Sequence, residues 1–192
     1  MKKVGLFGGT FDPVHNGHIS IARSFIDSGN IEELWILLTP NPPHKIDGDQ
    51  VKYTTRLSML KKAFEGIDVS ILTIENDLPK PSYTFQTIRY LKKEYSNYVF
   101  YFCMGEDSLA QFHTWKFFKE ILEEADLLVA KRPGNEHKKV LPEILSQTTF
   151  VSHLPVPISS SEIRTAVAKG NDVKTLVPPE VLELIVKEHL YK

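Results

Sequence analysis

The chain has 192 residues, 42% apolar and 24% charged, and a formal charge of -1. That is enough chain for one domain with a sizeable core, while a near-zero charge excludes a global field for gripping nucleic acid or an anionic membrane, so any polyphosphate must be bound locally. A single cysteine, Cys103, excludes an internal disulfide and a C-x-x-C metal site, and it suits a reducing compartment. Lys2 and Lys3 precede an apolar run, but Gly8, Gly9 and Asp12 interrupt any signal-peptide core, and no stretch approaches membrane-spanning length. A cytoplasmic protein with no membrane partner is expected.

Val4 to Phe7 reads as a short buried strand, and Gly8 and Gly9 allow close approach of the backbone to a ligand. An amphipathic helix begins near Gly17. Further strand-like runs are Leu34 to Leu38, Val69 to Ile74, Val99 to Met104, Leu127 to Ala130 and Thr149 to Leu154. Between them, Phe85, Ile88, Leu91 and Tyr95 form one helical face, and Phe117, Phe118, Ile121 and Leu122 form another. A helix from Ser159 or Ser160 to about Ala168 and a final helix packing through Leu182, Ile185 and Val186 complete the set. Such alternation predicts an α/β fold, a Rossmann-like parallel sheet with helices on both faces. Ligands in such sheets bind outside the carboxyl ends of the strands, which is where the motifs fall.

The first motif is Gly8-Gly9-Thr10-Phe11-Asp12-Pro13-Val14-His15-Asn16-Gly17-His18. A strand, a glycine turn and a helix amino terminus make an anion site, because unpaired N–H groups and the helix dipole point at the turn. His15 and His18 add side-chain donors. The pattern is neither a Walker P-loop nor the GxGxxG fingerprint. It resembles the HxGH signature of nucleotidyltransferases related to class I aminoacyl-tRNA synthetases, and the longer string resembles the nicotinate-nucleotide adenylyltransferase family. The segment Ile158-Ser159-Ser160-Ser161-Glu162-Ile163-Arg164 reads first as a helix cap supported by Glu162. It also resembles the superfamily's ISSTxIR motif, which contacts the triphosphate of ATP.

The resemblance implies further site residues. Pro40-Asn41-Pro42-Pro43-His44-Lys45 resembles the segment beside the mononucleotide, which implies contacts from His44 and Lys45. Ser82-Tyr83-Thr84 and the downstream Trp115 resemble the elements that hold the nicotinate ring, so Tyr83, Thr84 and Trp115 join Asp12 on the nicotinate-nucleotide side. Taken alone, each also reads as a solvated turn, a cap or a packing aromatic. Gly105-Glu106-Asp107 resembles the GxD motif at the adenosine ribose, with Asp107 the acceptor, and Lys131-Arg132-Pro133-Gly134 resembles ARPG, which implicates Arg132 in nucleotide binding. The implied ATP side is therefore Gly8, Gly9, Thr10, Phe11, His18, Gly105, Asp107, Arg132, Ser159, Ser160, Ser161 and Arg164. His113, His137, His153 and His189 have no motif context.

What the resemblance implies as a whole is one nucleotidyltransferase domain over residues 1–192, with ATP and nicotinate mononucleotide as partners. The mononucleotide phosphate is already anionic, so it needs no general base; the protein must align the groups and neutralise developing charge. His15, His18 and Arg164 would carry that work. Mg2+ is expected to bridge phosphate oxygens while keeping several waters, with no protein metal ligand assigned. Alternatives are another HxGH transferase acting on nicotinamide mononucleotide or phosphopantetheine, or a nucleotide-binding regulator without catalysis. An RNA-binding relative of synthetases is disfavoured, because no KMSKS-like motif is present.

Overall fold

The structure is a computed structural model describing residues 1–40, 50–79, 83–131 and 140–192. Strands β1 (Lys2–Gly9), β2 (Glu33–Leu38), β3 (Ser70–Leu72), β4 (Tyr98–Gly105), β5 (Asp126–Lys131) and β6 (Thr148–Ser152) form one sheet in the order β3-β2-β1-β4-β5-β6. Every neighbouring pair is parallel. The chain winds from β1 to β2 and β3 on one side and resumes at β4 on the other. The switch point therefore lies between β1 and β4, the place outside the carboxyl ends where ligands of such sheets bind.

Alternation along the strands explains why helices cover both faces. Leu34, Ile36 and Leu38 point into one core with Phe7, Cys103, Leu128 and Ala130, while Trp35 and Leu37 point into the other with Val4, Leu6, Phe100, Phe102 and Val129. The first face is closed by α1 (Asn16–Asp27), α2 (Tyr53–Ala63), α7 (Ser160–Ala168) and α8 (Pro179–Lys187), through residues such as Phe25, Met59, Ile163 and Ile185. Helices α3 (Thr84–Glu94), α4 (Glu106–Gln111), α5 (Phe118–Glu124) and α6 (Pro142–Leu145) close the second, through Ile88, Leu109, Ile121 and Ile144.

All six strand-like runs are strands, with local differences. β1 extends through Gly8 and Gly9, because both pair with β2 at Leu37 and Leu38. β3 is shorter than the apolar run suggested, since Ile74 starts a 3-10 turn, Ile74–Asn76. β6 stops at Ser152 and leaves Leu154 exposed. Phe117 is not helical: it sits at φ 66°, capping α5 in a left-handed conformation. The final helix buries Val181 and Ile185, and Val186 faces solvent at 59% exposure, one residue around from the buried stripe.

That phase gives a direct check. Ile185→Ala should destabilise the protein by about 2–4 kcal/mol through loss of burial and the cavity left behind. Val186→Ala should stay within about 0.5 kcal/mol. Denaturant unfolding of the two variants measures both, and equal losses would show that α8 is rotated.

Candidate active site

Between β1 and α1 the chain makes a turn whose acceptors are held by side chains from elsewhere. Arg56 Nη1 in α2 donates to the Thr10 carbonyl at 2.7 Å, and Arg164 Nη1 in α7 donates to the Asp12 carbonyl at 2.7 Å. The Ser160 hydroxyl donates to the Pro13 carbonyl at 2.9 Å, and the Tyr191 hydroxyl donates to the Asp12 carboxylate at 2.6 Å. Asn16, opening α1, is fixed from a fourth segment by its N–H on the Leu176 carbonyl and its side-chain amide on the Thr175 carbonyl, each at 3.0 Å.

Two glycines of the motif have steric reasons. A Cβ on Gly9 would lie 2.9 Å from the Phe11 ring, which folds back over it with Phe11 at φ 48°. A Cβ on Gly17 would lie 3.0 Å from two atoms of the His15 imidazole. The glycine in HxGH therefore lets the first histidine lie against the helix's first turn. Phe11 is itself buried, its ring meeting that of His18 edge-on at 4.9 Å. The aromatic side chain thus supports the second histidine, and its backbone is what the turn can offer a ligand.

His15 and His18 are stacked, with centroids 3.7 Å apart and planes inclined by 26°. The His15 N–H donates to His18 Nδ1 at 3.2 Å, so the neutral His18 ring carries its proton on Nε2. Burial lowers both pKa values, His15 to about 4 and His18 well below the ordinary range, with the neighbouring His15 lowering His18 further. At neutral pH the pair is uncharged. His15 Nδ1 is buried with no hydrogen-bond partner among the described residues.

The α7 start has the reciprocal cap read from the sequence: Ser159 Oγ accepts from the Glu162 N–H at 3.2 Å, and the Glu162 carboxylate accepts from the Ser159 N–H at 2.9 Å. Arg164 Nη2 also reaches Ser161 Oγ at 3.1 Å. The two phosphate motifs are thus in contact through Arg164 and Ser160, although about 150 residues separate them in the chain.

Gly105 caps α4 directly after β4, the neighbour of β1 across the switch point. Asp107 in that first turn is exposed while Glu106 is buried. Tyr83 caps α3, its N–H donating to Gln86 Oε1 at 3.2 Å, and Thr84 is the first helical residue. Trp115 is partly buried, with its ring 6.0 Å from Phe102 and 5.5 Å from Phe112. It packs on the second core and still presents surface. His44, Lys45, Ser82, Arg132 and His137 lie outside the described residues. Of the histidines without motif, His113 is exposed, and His153 is buried with Nδ1 2.9 Å from Ser24 Oγ.

Three contributors carry no motif: Arg56, Tyr191 and Lys116. The Lys116 ammonium donates to the Tyr83 hydroxyl at 3.0 Å and lies 4.9 Å over its ring. Arg56 could have been suspected as a lone arginine in an otherwise buried helical stripe with Met59, Leu60 and Ala63. Nothing in the linear sequence marks Tyr191.

The family described as "Cytidylyltransferase-like" matches residues 6–166. A Flavobacterium johnsoniae protein named "Probable nicotinate-nucleotide adenylyltransferase" is 34% identical over 191 residues, covering 99% of both chains. A Clostridium perfringens protein of the same name is 36% identical over 200 aligned positions, covering 100% of this chain and 99% of its own. The chain belongs to the nicotinate-nucleotide adenylyltransferase family. Nicotinic acid mononucleotide adenylyltransferase of Plasmodium falciparum, solved with NaAD, shares the fold of this family member with a TM-score of 0.82 at 20% identity, covering 100% and 98% of the two chains. The same enzyme complexed with APC superposes with a TM-score of 0.80. No helix among the described residues of this adenylyltransferase-family chain is long and apolar enough to cross a membrane.

The neutral histidines give a pH dependence. His15 titrates near 4 in the folded protein and near 6.5 unfolded, so between those values the unfolded chain binds more protons and stability falls as pH falls. From pH 7 to pH 5 His15 should account for about 2 kcal/mol of lost stability. His15→Gln should remove about that much of the decline, measured by urea unfolding of the ligand-free protein at both pH values. An unchanged decline would show that His15 is solvated.

Proposed function

We propose that this chain transfers the adenylyl group of ATP to nicotinate mononucleotide, giving nicotinate adenine dinucleotide and pyrophosphate, a step of NAD synthesis. The observation that carries the reading is the junction of the two phosphate motifs, with Arg164 on the Asp12 carbonyl and Ser160 on the Pro13 carbonyl beside the stacked histidines.

The mononucleotide 5′-phosphate oxygen attacks the α-phosphorus in line, the bond to the bridging oxygen breaks, and pyrophosphate leaves with that electron pair. No proton has to be removed from the nucleophile, so the work is alignment and charge stabilisation. His18 Nε2–H is the fixed donor to the transferring phosphate, because its other nitrogen is held by the His15 N–H. His15 supports it from the stacked position and donates to the same phosphates. The Gly8 to Phe11 backbone cradles the triphosphate. At α7 the Ser159 cap takes the Glu162 N–H, the Ser159 N–H and hydroxyl are held by the Glu162 carboxylate and the Ser160 hydroxyl by the Pro13 carbonyl, and we assign the Ser160 and Ser161 amides and the Ser161 hydroxyl, with Arg164, to the leaving pyrophosphate.

Gly105 and Asp107 are assigned to the adenosine ribose, and Arg132 to the nucleotide. Trp115, Tyr83 and Thr84 are assigned to the nicotinate ring and its carboxylate, with His44 and Lys45 on the mononucleotide phosphate. Asp12 belongs to the mononucleotide side as a residue of the turn itself, since its carboxylate takes the Tyr191 hydroxyl. Among the described residues no group of three His, Cys, Asp or Glu side chains is placed to hold a cation. Magnesium is proposed to arrive on the substrate, as MgATP. The 1–192 chain is read as one catalytic domain working in the cytoplasm.

Pyrophosphate release with MgATP and each pyridine mononucleotide tests the reading. The wild type should turn over nicotinate mononucleotide, and His18→Asn, which keeps an acceptor near Nδ1 and lacks the Nε2 donor, should lower kcat about 10²- to 10³-fold. Unchanged turnover in folded His18→Asn would remove the histidine from the mechanism. The helix start at Thr84 offers donors and a positive dipole end to a carboxylate, and it gives the NH2 of an amide no acceptor. kcat/KM should accordingly favour the acid mononucleotide over its amide by about 10⁴-fold. Equal values would make the chain a dual-specificity transferase.

A further inference from the structure

Arg56 is only 1% exposed, the largest of the fully buried side chains, and no step above uses it. Its guanidinium donates to four backbone carbonyls: Nε to Val51 at 3.0 Å, Nη1 to Thr10 at 2.7 Å and Thr39 at 2.9 Å, and Nη2 to Pro40 at 2.9 Å. Thr10 begins the phosphate turn after β1, while Thr39 and Pro40 begin the loop after β2, so one rigid fork spans the carboxyl ends of two neighbouring strands. Thr39 is held on both sides of its backbone, since its N–H also donates to the Gly9 carbonyl at 3.0 Å, and its side chain faces the Glu75 carboxyl, whose pKa it lowers against the effect of burial. Glu75 in turn accepts from the Thr87 hydroxyl of α3 at 3.1 Å. A continuous path therefore runs from the phosphate turn, through buried Arg56, half-buried Thr39 and buried Glu75, to the helix whose start is assigned to nicotinate.

We propose that Arg56 is a positioning residue for adenylyl transfer, fixing the Thr10 turn relative to the loop after β2 and, through Thr39 and Glu75, to α3. The role rests on the function proposed above. The guanidinium pairs four backbone carbonyls that an apolar residue of similar volume would leave without a donor, and the Asp12 carboxylate nearby favours its charge. A lysine keeps the charge, but its single ammonium lacks the planar fork needed to reach carbonyls of three segments at once. What the arginine adds is a defined distance between the groups that bind the two reactants. A displacement of about 1 Å between reactants can cost about 10²-fold in rate.

The experiment compares the wild type, Arg56→Lys and Thr39→Val by steady-state pyrophosphate release and thermal unfolding, with turnover expressed per folded molecule. For Arg56→Lys the expected result is a lower Tm, kcat reduced about 10- to 100-fold and KM for MgATP within about threefold. Folded Arg56→Lys with wild-type kcat overturns the proposal and leaves a purely structural residue. Where Arg56→Lys does not fold, Thr39→Val decides. It cuts the link to Glu75 and keeps the carbonyl that Arg56 grips. A kcat loss of about tenfold with unchanged KM for MgATP supports the path, and wild-type kinetics overturns it. A wild type that releases no pyrophosphate with either mononucleotide overturns the reaction and this role with it, whereas an active wild type with indifferent variants removes only the role of Arg56.

Discussion

The rest of the site depends on how the turn between β1 and α1 is held. A loop that binds phosphate through backbone N–H groups must leave those groups unpaired, so it cannot be stabilised by regular secondary structure. Here the stabilisation comes from the opposite side of the peptide units. The Thr10, Asp12 and Pro13 carbonyls and the Asp12 carboxylate accept from Arg56, Arg164, Ser160 and Tyr191, four residues from two helices and the carboxyl-terminal segment. The turn is thereby fixed before a ligand arrives, and charge developing on a phosphate meets donors that need not reorganise.

The same arrangement reconciles a nearly neutral protein with a polyanionic substrate. The chain as a whole carries -1. Its cations are used locally, with Arg164 at the turn and Arg56 beneath it. The stacked histidines are kept neutral by burial, so each is a directional donor and not a diffuse charge. A neutral imidazole with one nitrogen committed to a backbone N–H has only one proton to offer, and its direction is set by the helix that carries it.

Arg164 shows how one residue can serve both fold and function. Its Nη1 closes the contact between α7 and the turn, and its Nη2 reaches Ser161. The contact brings the two halves of the phosphate site together from opposite ends of the chain. Glu162, adjacent in sequence, is consumed by the Ser159 cap. Neighbouring charged residues in one motif therefore divide into a helix-capping role and, in the proposed function, a ligand-facing one.

The sequence by itself determined the elements that rest on local periodicity: six strands, their helical crossovers and the Ser159 cap, and it marked the two motifs that meet at the turn. It did so because buried strands in a parallel sheet are continuous apolar runs, and because a reciprocal cap is written within four residues. It misjudged the phase of α8, where Val186 is exposed, and the left-handed cap at Phe117, since both depend on what packs against the helix. The tertiary structure alone decided which side chains hold the turn. Arg56, Thr39, Glu75 and Tyr191 belong to no motif. Each acts through hydrogen bonds to backbone or side chains far away in the chain, and a distance between separate loops has no signature in the order of residues.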